Sequence, residues 1–272
     1  MKRGLRLTGL AVLMPLAMSG CSTLSSIFDT GDAPGAAEAT QQQSSALPSG
    51  DIGTTSKELR LARAARGAGD YVSAINLYRT VIATRPQDEA LVVELGDTML
   101  DLGAIDDAIG VYGKVSLKSP ARAGAEVGLG RAQLSMHQAE TALAHFDAAR
   151  MLAPNDTKAL LGRGIALDIL NRHQEAQESY RTVLNAEPRS VAARNDLALS
   201  LALSGDYAQA VSILQPIAVS PTATGRIRQN LALIYGLEGN AQQAAQISRV
   251  DLSEADTEAN LKFFQAARAR ME

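Results

Sequence analysis

Residues 142–154 read ALAHFDAARMLAP, and four positions in this stretch decide the fold: Ala142, Phe146, Ala149 and Pro154. The same chemical types recur at intervals of 34 residues. The equivalent sets are Ala74, Tyr78, Val81 and Pro86; Ala108, Tyr112, Val115 and Pro120; Ala176, Tyr180, Val183 and Pro188; and, more weakly, Ala210, Leu214, Ile217 and Pro221. A fixed period of this length is typical of a repeat array, so the sequence predicts a solenoid.

Each of these residue types has a physical reason in a pair of packed helices. The small alanine lets a neighbouring helix cross closely, and the aromatic residue one turn later lies on the same face and fills the gap. The proline cannot continue the helix, because it lacks an N–H and clashes with the preceding turn. A partner helix with its own apolar stripe precedes each set, for example Leu95, Gly96 and Met99. Every repeat is therefore predicted to be a helix-turn-helix hairpin.

This pattern resembles the tetratricopeptide repeat. The resemblance implies an all-α solenoid, a right-handed superhelix of about six helix pairs. The expected units are 55–88, 89–122, 123–156, 157–190, 191–224 and 225–258. In the fifth unit, Pro216 is expected to kink or end the second helix near Leu214.

The sixth unit has Ser248 where the aromatic residue belongs, so a further element should cover its outer surface. We predict a C-terminal capping helix over residues 253–272, opened by Ser253 and an acidic first turn. Phe263 and Phe264 could form a docking patch on this helix. The interpretation we prefer is that they seal the end of the solenoid.

The N-terminal residues have the order of a secretory signal. Three basic residues precede an apolar run of 12 residues, Leu7–Met18, which is too short to span a bilayer. The following Met18-Ser19-Gly20-Cys21 resembles a bacterial lipobox. The resemblance implies a signal peptide over residues 1–20 and a lipid anchor on Cys21. The alternative is an ordinary signal peptide that leaves a free thiol.

Residues 21–54 are rich in Ser, Gly, Ala, Gln and Asp without periodicity, so we interpret them as a lipidated flexible tether. By analogy with other lipoproteins, Ser22 indicates the periplasmic face of the outer membrane. Loss of residues 1–20 would remove three basic residues and change the formal net charge from −3 to −6. Such an acidic chain is a poor candidate for nucleic-acid binding.

Motifs of catalysis are missing from the sequence. It lacks His-Glu-x-x-His, Gly-x-Ser-x-Gly, a phosphate-binding glycine loop and paired cysteines. The three histidines, His137, His145 and His173, are better explained as surface or turn residues than as metal ligands. We therefore predict a protein that is not an enzyme, with no metal and no cofactor apart from the lipid on Cys21.

The resemblance to tetratricopeptide repeats also implies where a partner would bind. In that family the first helix of each unit lines a concave groove that binds protein segments. The lining positions here are Arg60, Arg63, Arg66, Glu94, Asp97, Asp101, Arg131, Lys158, Asp168, Asn195, Asp196, Arg226, Gln229 and Asn230. The groove would then be basic at one end, acidic next to it and rich in amides further on. Alternatively, some of these residues, notably Asn195 and Asn230, bond to the backbone of the next unit and bind no partner.

The last third of the chain resembles a more specific family. Residues 226–240, RIRQNLALIYGLEGN, followed by Ala244, Asp251-Leu252 and Ala259-Asn260-Leu261, are similar to the end of TadD proteins, tetratricopeptide-repeat lipoproteins of the tight-adherence (Flp, type IVc) pilus. This resemblance implies a pilotin-like assembly factor whose partner is the outer-membrane secretin or another pilus component. The alternative is a general envelope lipoprotein, such as an outer-membrane protein assembly subunit or a peptidoglycan-hydrolase adaptor.

Overall fold

The computed structural model describes residues 52–271, with side chains from 57 to 270, and this part of the chain contains thirteen α-helices and no strand. The predicted all-α helix-hairpin solenoid is confirmed. The predicted signal peptide, Cys21 and most of the tether lie outside the described residues. Helix α1 begins at Ile52, inside the segment interpreted as the end of the tether. The helices are α1 Ile52–Gly67, α2 Tyr71–Thr84, α3 Glu89–Leu102, α4 Ile105–Tyr112, α5 Arg122–Ser135, α6 Ala139–Leu152, α7 Thr157–Ile169, α8 His173–Ala186, α9 Val191–Leu203, α10 Tyr207–Ala218, α11 Gly225–Glu238, α12 Ala241–Ser248 and α13 Glu254–Met271.

These helices fall into two compact units, residues 52–136 with α1 to α5 and residues 137–271 with α6 to α13. The boundary lies inside the predicted third repeat, between its two helices. Each unit has its own apolar cluster. Tyr78, Met99 and Tyr112 are central in the first cluster, and Tyr180, Leu214 and Leu231 in the second.

The residues that define the repeat are buried at the predicted register. The alanines at the first position of the pattern are fully buried in all six second helices, from Ala74 to Ala244. Tyr78, Tyr112, Phe146 and Tyr180 are at most 1% exposed. The period seen in the sequence is therefore the period of the core.

Glycines on the first helices make room for these aromatic rings. A Cβ added to Gly164 would lie 2.3 Å from the Tyr180 ring, and one added to Gly162 would lie 2.2 Å from the Phe146 ring. In the first unit, a Cβ added to Gly96 or to Gly128 would lie 2.5 or 2.2 Å from the Tyr112 ring. Each ring thus packs directly against helix backbone, which explains why glycine is retained in helices that it destabilises by about 1 kcal/mol.

The turn inside each hairpin contains one residue in the left-handed region. Glycine fills this position in four repeats, at Gly69, Gly103, Gly205 and Gly239, and His137 and Asn171 fill it in the other two with φ of 59°. His137 therefore occupies a turn, as the sequence predicts. The spacing of 34 residues extends to the backbone conformation of the turns.

The end that Pro216 was expected to impose on α10 is not observed, and two other helices are short. Helix α10 does not end at Leu214 but continues through Pro216 to Ala218. Pro216 lies in the last turn, where its missing N–H removes one helix bond, and the Val219 N–H still donates to the Gln215 carbonyl at 3.1 Å. Helices α4 and α12 have only 8 residues each, shorter than the usual two-helix repeat suggests.

The predicted C-terminal helix is confirmed as α13, which packs on α11 and α12. The Ser253 hydroxyl accepts from the Asp256 N–H at 3.2 Å and caps its start. Phe264 is buried against Gly236, where an added Cβ would be 2.5 Å from the Phe264 side chain. Phe264 therefore seals the last hairpin, whereas Phe263 is only partly buried.

Candidate binding surface

The first helices of the hairpins form one layer in each unit. Helix α3 packs on α5 in the unit 52–136, and α7, α9, α11 and α13 pack on one another in succession in the unit 137–271. The second helices pack mainly against first helices. We call the side of the first-helix layer that faces away from the second helices the inner face of each unit. All the predicted partner-binding residues lie on the first helices.

The inner face of the unit 52–136 is cross-linked by ion pairs between successive first helices. Arg63 on α1 binds both carboxylate oxygens of Glu94 on α3, at 2.8 and 2.6 Å. Arg66 donates to Asp101 at 2.8 Å. Arg131 on α5 approaches Asp97 at 3.3 Å and Asp101 at 3.5 Å. The predicted basic and acidic residues are thus brought together as mutual partners.

Buried tyrosines extend this network from below. The Tyr78 hydroxyl donates to Glu94 at 2.8 Å, and the Tyr112 hydroxyl donates to Asp97 at 2.7 Å. Burial and the Glu94 carboxylate raise the pKa of Tyr78 to about 12. Burial opposes ionisation of Glu94, but hydrogen bonds from Arg63 and Tyr78 outweigh it and lower the Glu94 pKa. Arg60 is exposed at the end of this face.

The inner face of the unit 137–271 is built from amides instead. The Asn230 amide on α11 donates to the Asn195 carbonyl oxygen on α9 at 2.7 Å, and the Asn195 amide donates to Asp196 at 3.0 Å. Asn260 on α13 donates to Gln229 at 3.3 Å. Asn195 and Asn230 bond to each other's side chains across neighbouring repeats, and not to the backbone as the alternative predicted. Arg226 is exposed near this row and Lys158 is exposed in the first turn of α7.

Asp196 is recessed in this face and only partly accessible to solvent. Burial raises its pKa to about 7, opposed by the Asn195 hydrogen bond and the positive charge of Arg226. The nearby Asp168 carboxylate acts in the same direction as burial. Asp196 therefore holds its proton to a higher pH than Glu94, whose pKa is lowered.

A buried polar cluster around Asp168 ties three helices together. Asp168 on α7 accepts from Tyr180 at 2.9 Å and from Ser200 on α9 at 2.7 Å, and His173 Nδ1 lies 2.8 Å from it. His173 is thus partly buried and bonded, which the prediction of a surface or turn histidine missed. A signal for these hydrogen bonds was present in the sequence: tyrosine at the aromatic position of the repeat, where the third repeat has Phe146. Each tyrosine that forms such a bond faces a carboxylate on a first helix.

Other kinds of site have no support in this part of the chain. Within residues 52–271, no three His, Cys, Asp or Glu side chains are grouped so that they could hold a metal ion. None of the helices there is long and apolar enough to cross a membrane.

Comparison with known proteins gives consistent repeat matches. Two family models described as tetratricopeptide repeat match residues 65–120, and 127–184 with 170–218, together more than half of the chain. No curated protein matches.

Solved structures resemble the chain at low sequence identity. In the crystal structure of the APC/C hetero-tetramer Cut9-Hcn1, the match has 16% identity and a TM-score of 0.65, and covers 78% of this chain and 42% of that one. A MamA protein matches with 25% identity and a TM-score of 0.47, over 60% of this chain and 88% of its own. A thermophilic TPR protein from Thermus thermophilus matches with 19% identity and a TM-score of 0.47, over 80% of this chain and 100% of its own. The match to Cut9-Hcn1 supports the fold alone.

Proposed function

Since this chain belongs to the tetratricopeptide-repeat family, a class of protein-interaction scaffolds, we propose that it binds an extended segment of a partner protein on the inner face of the unit 137–271 and acts without catalysis. The observation that carries this proposal is the amide row of Asn195 and Asn230, continued by Gln229 and Asn260. A side-chain amide offers both a donor and an acceptor, which matches the alternating groups of an extended backbone. In the other unit, the equivalent surface is held by charged ion pairs, whereas the amides here bond to one another through neutral groups.

We propose further that the protein is a lipoprotein at the periplasmic face of the outer membrane and a pilotin-like assembly factor for the secretin of a tight-adherence pilus. The lipobox-like sequence before Cys21 and the resemblance of residues 226–240 to TadD proteins support this assignment. The lipid would hold the scaffold at the membrane. A tethered scaffold raises the effective concentration of a weakly bound partner, up to about the mM range, without new contacts.

A pull-down from detergent-solubilised membranes tests both levels of the proposal. The baits are the native chain, the double variant Asn195→Ala/Asn230→Ala, and the matched control Gln242→Ala/Gln246→Ala, which removes two exposed amides from α12. We expect the native chain and the control to recover the secretin. The inner-face variant should bind about 10- to 30-fold more weakly, because it loses two hydrogen-bonding groups of about 1 kcal/mol each. Circular dichroism checks that each variant is folded.

The result separates the alternatives. Recovery of outer-membrane insertion subunits or cell-wall hydrolases in place of pilus proteins would favour the general envelope adaptor. Equal recovery by the inner-face variant and its control would overturn the proposed binding surface, whatever the partner is.

A further inference from the structure

One edge of the unit 137–271 carries all the junctions between successive repeats. Helices α6, α8 and α10 end at Leu152, Ala186 and Ala218, and the following first helices begin at Thr157, Val191 and Gly225. Because consecutive helices joined by short loops are antiparallel, these three junctions lie on the same edge. We call it the junction edge. The opposite edge, with the turns at Asn171, Gly205 and Gly239, is the turn edge.

Large apolar side chains protrude from the junction edge. Met151 is 82% exposed, Val219 67%, Leu152 54% and Val191 45%. Leu117 occupies the same repeat position as Met151 and Val219 in the other unit and is 77% exposed. Single exposed apolar residues are ordinary, but a row of them in three consecutive junctions does not follow from the packing of the fold.

The same junctions are positively charged. Lys158 and Arg189 are exposed, Arg150 is exposed and lies 3.7 Å from Asp147, and Arg194 donates to the Pro188 carbonyl. The acidic residues there are Glu187, Asp147, which also pairs with Arg163, and Asp156, whose carboxylate caps α7 by accepting from the Ala159 N–H.

Helix stability does not explain this charge. Acidic residues stabilise the first turn of a helix, yet the first turns of α7, α9 and α11 contain none, and Lys158 lies in one of them. The turn edge has the opposite character, with Asp206 and Glu238 exposed or partly exposed and Arg172 paired with Glu175.

We propose that the junction edge of the unit 137–271 docks on an anionic lipid surface. Lys and Arg side chains attract lipid phosphates, while protruding Met, Leu and Val side chains can enter the boundary between headgroups and acyl chains. A lipid surface fits better than a protein groove, because these side chains project from separate junctions that are about 10 Å apart, the distance between packed helices. This inference uses the proposed lipid anchor for one purpose only: the anchor keeps the membrane at a high local concentration around the junction edge.

Tryptophan fluorescence tests this contact in the full chain, since the sequence contains no tryptophan. Met151→Trp and Val219→Trp place a single reporter on the junction edge, at side chains whose exposure makes a folding defect unexpected. Ile169→Trp, at a side chain 41% exposed near the turn edge, is the matched control. Each chain is mixed with vesicles of phosphatidylethanolamine and phosphatidylglycerol that contain brominated lipid, and flotation reports attachment separately.

We expect the junction-edge reporters to shift to shorter wavelength and to be quenched by brominated lipid, while the control reporter is not. Equal quenching of all three reporters, or quenching of none in chains that float with the vesicles, would overturn the proposal. A shift that appears only with the purified secretin would also overturn it and would identify a protein interface. If the chains do not float with the vesicles, this result counts against the lipid anchor. Quenching of the junction-edge reporters then decides whether the edge contacts lipid.

Charge reversal separates electrostatic docking from apolar insertion. In the Met151→Trp chain, Lys158→Glu/Arg189→Glu should lower the ratio of docked to undocked edge by about 25-fold or more, at about fivefold for each cation. The control Arg181→Glu/Lys262→Glu makes the same change in net charge at exposed positions on α8 and α13 and should leave quenching unchanged. Equal effects of the two pairs would mean that only net charge matters, which contradicts a specific edge.

Discussion

A carboxyl group at the same repeat position has its pKa shifted in opposite directions in the two units. Glu94 and Asp196 are each the sixth residue of their repeats, 89–122 and 191–224. Arg63 and Tyr78 bond to Glu94 and lower its pKa, whereas Asp196 accepts from the Asn195 amide and burial raises its pKa to about 7. Repeat geometry therefore places a carboxylate, but the neighbouring repeat decides whether it is ionised. One inner face is held by charged ion pairs, whereas the other is held by neutral amides that bond to one another.

The largest expected effect tests the part that both units share. Tyr180→Ala should lower the free energy of unfolding by roughly 3–5 kcal/mol, because it empties a fully enclosed site between helices. Tyr180→Phe keeps the ring and loses only the hydrogen bond to Asp168, so it should cost about 1–2 kcal/mol. Chemical denaturation measures both. If Tyr180→Ala and the native chain unfold at the same denaturant concentration, the aromatic position does not hold the unit together.

The fold could be predicted from the sequence because the residues that repeat every 34 positions have steric roles. Ala176, Tyr180 and Pro188 each exclude most alternatives at their positions, so four full copies and a weaker fifth set one register. The end of α10 could not be predicted, because the cost of Pro216 depends on how many helix bonds follow it. The side chains predicted to line a groove lie on the first helices, but Asp168 and Asn195 are buried there, and the ion pairs among the others were not predicted. Whether Arg63 reaches Glu94 depends on the distance between helices, which the repeat pattern does not encode.

Glu94→Gln should break the paired inner face. At pH 7 we expect a loss of about 1–2 kcal/mol, since Arg63 and Tyr78 lose a charged acceptor. Because the folded pKa of Glu94 lies below its ordinary value of 4.5, its stabilisation is present above that value and disappears as pH falls through the folded pKa. Thermal unfolding across this range should show the native chain and the variant converging at acid pH. A constant difference would mean that Glu94 acts through packing.

Asp196→Asn should have the opposite sign. With a folded pKa of about 7 against an ordinary value of 3.8, Asp196 binds more protons when folded, so native stability falls as pH rises between these values. Asparagine retains the oxygen that accepts from Asn195 and removes the charge. We expect stabilisation of about 1–2 kcal/mol at pH 8 and almost none at pH 4. The whole pKa shift would correspond to roughly 4 kcal/mol. The expected stabilisation is smaller because the recessed carboxylate still reaches solvent. Destabilisation at pH 8 would show that Asp196 has a charged partner.

The smallest expected effect distinguishes two arginines on one helix face. Arg63→Ala removes the bidentate pair with Glu94 and should cost about 0.5–1 kcal/mol, limited because the Arg63 side chain is 56% exposed. Arg60→Ala, one turn earlier at an exposed position, should change stability by less than about 0.3 kcal/mol. Added salt should shrink the Arg63 effect and leave the Arg60 value as it is, because screening weakens exposed ion pairs. Urea denaturation at low and high salt measures this. Equal effects of the two changes would mean that the pairing with Glu94 is not what separates this inner face from the amide-lined one, and the comparison would then rest on Asp196 alone.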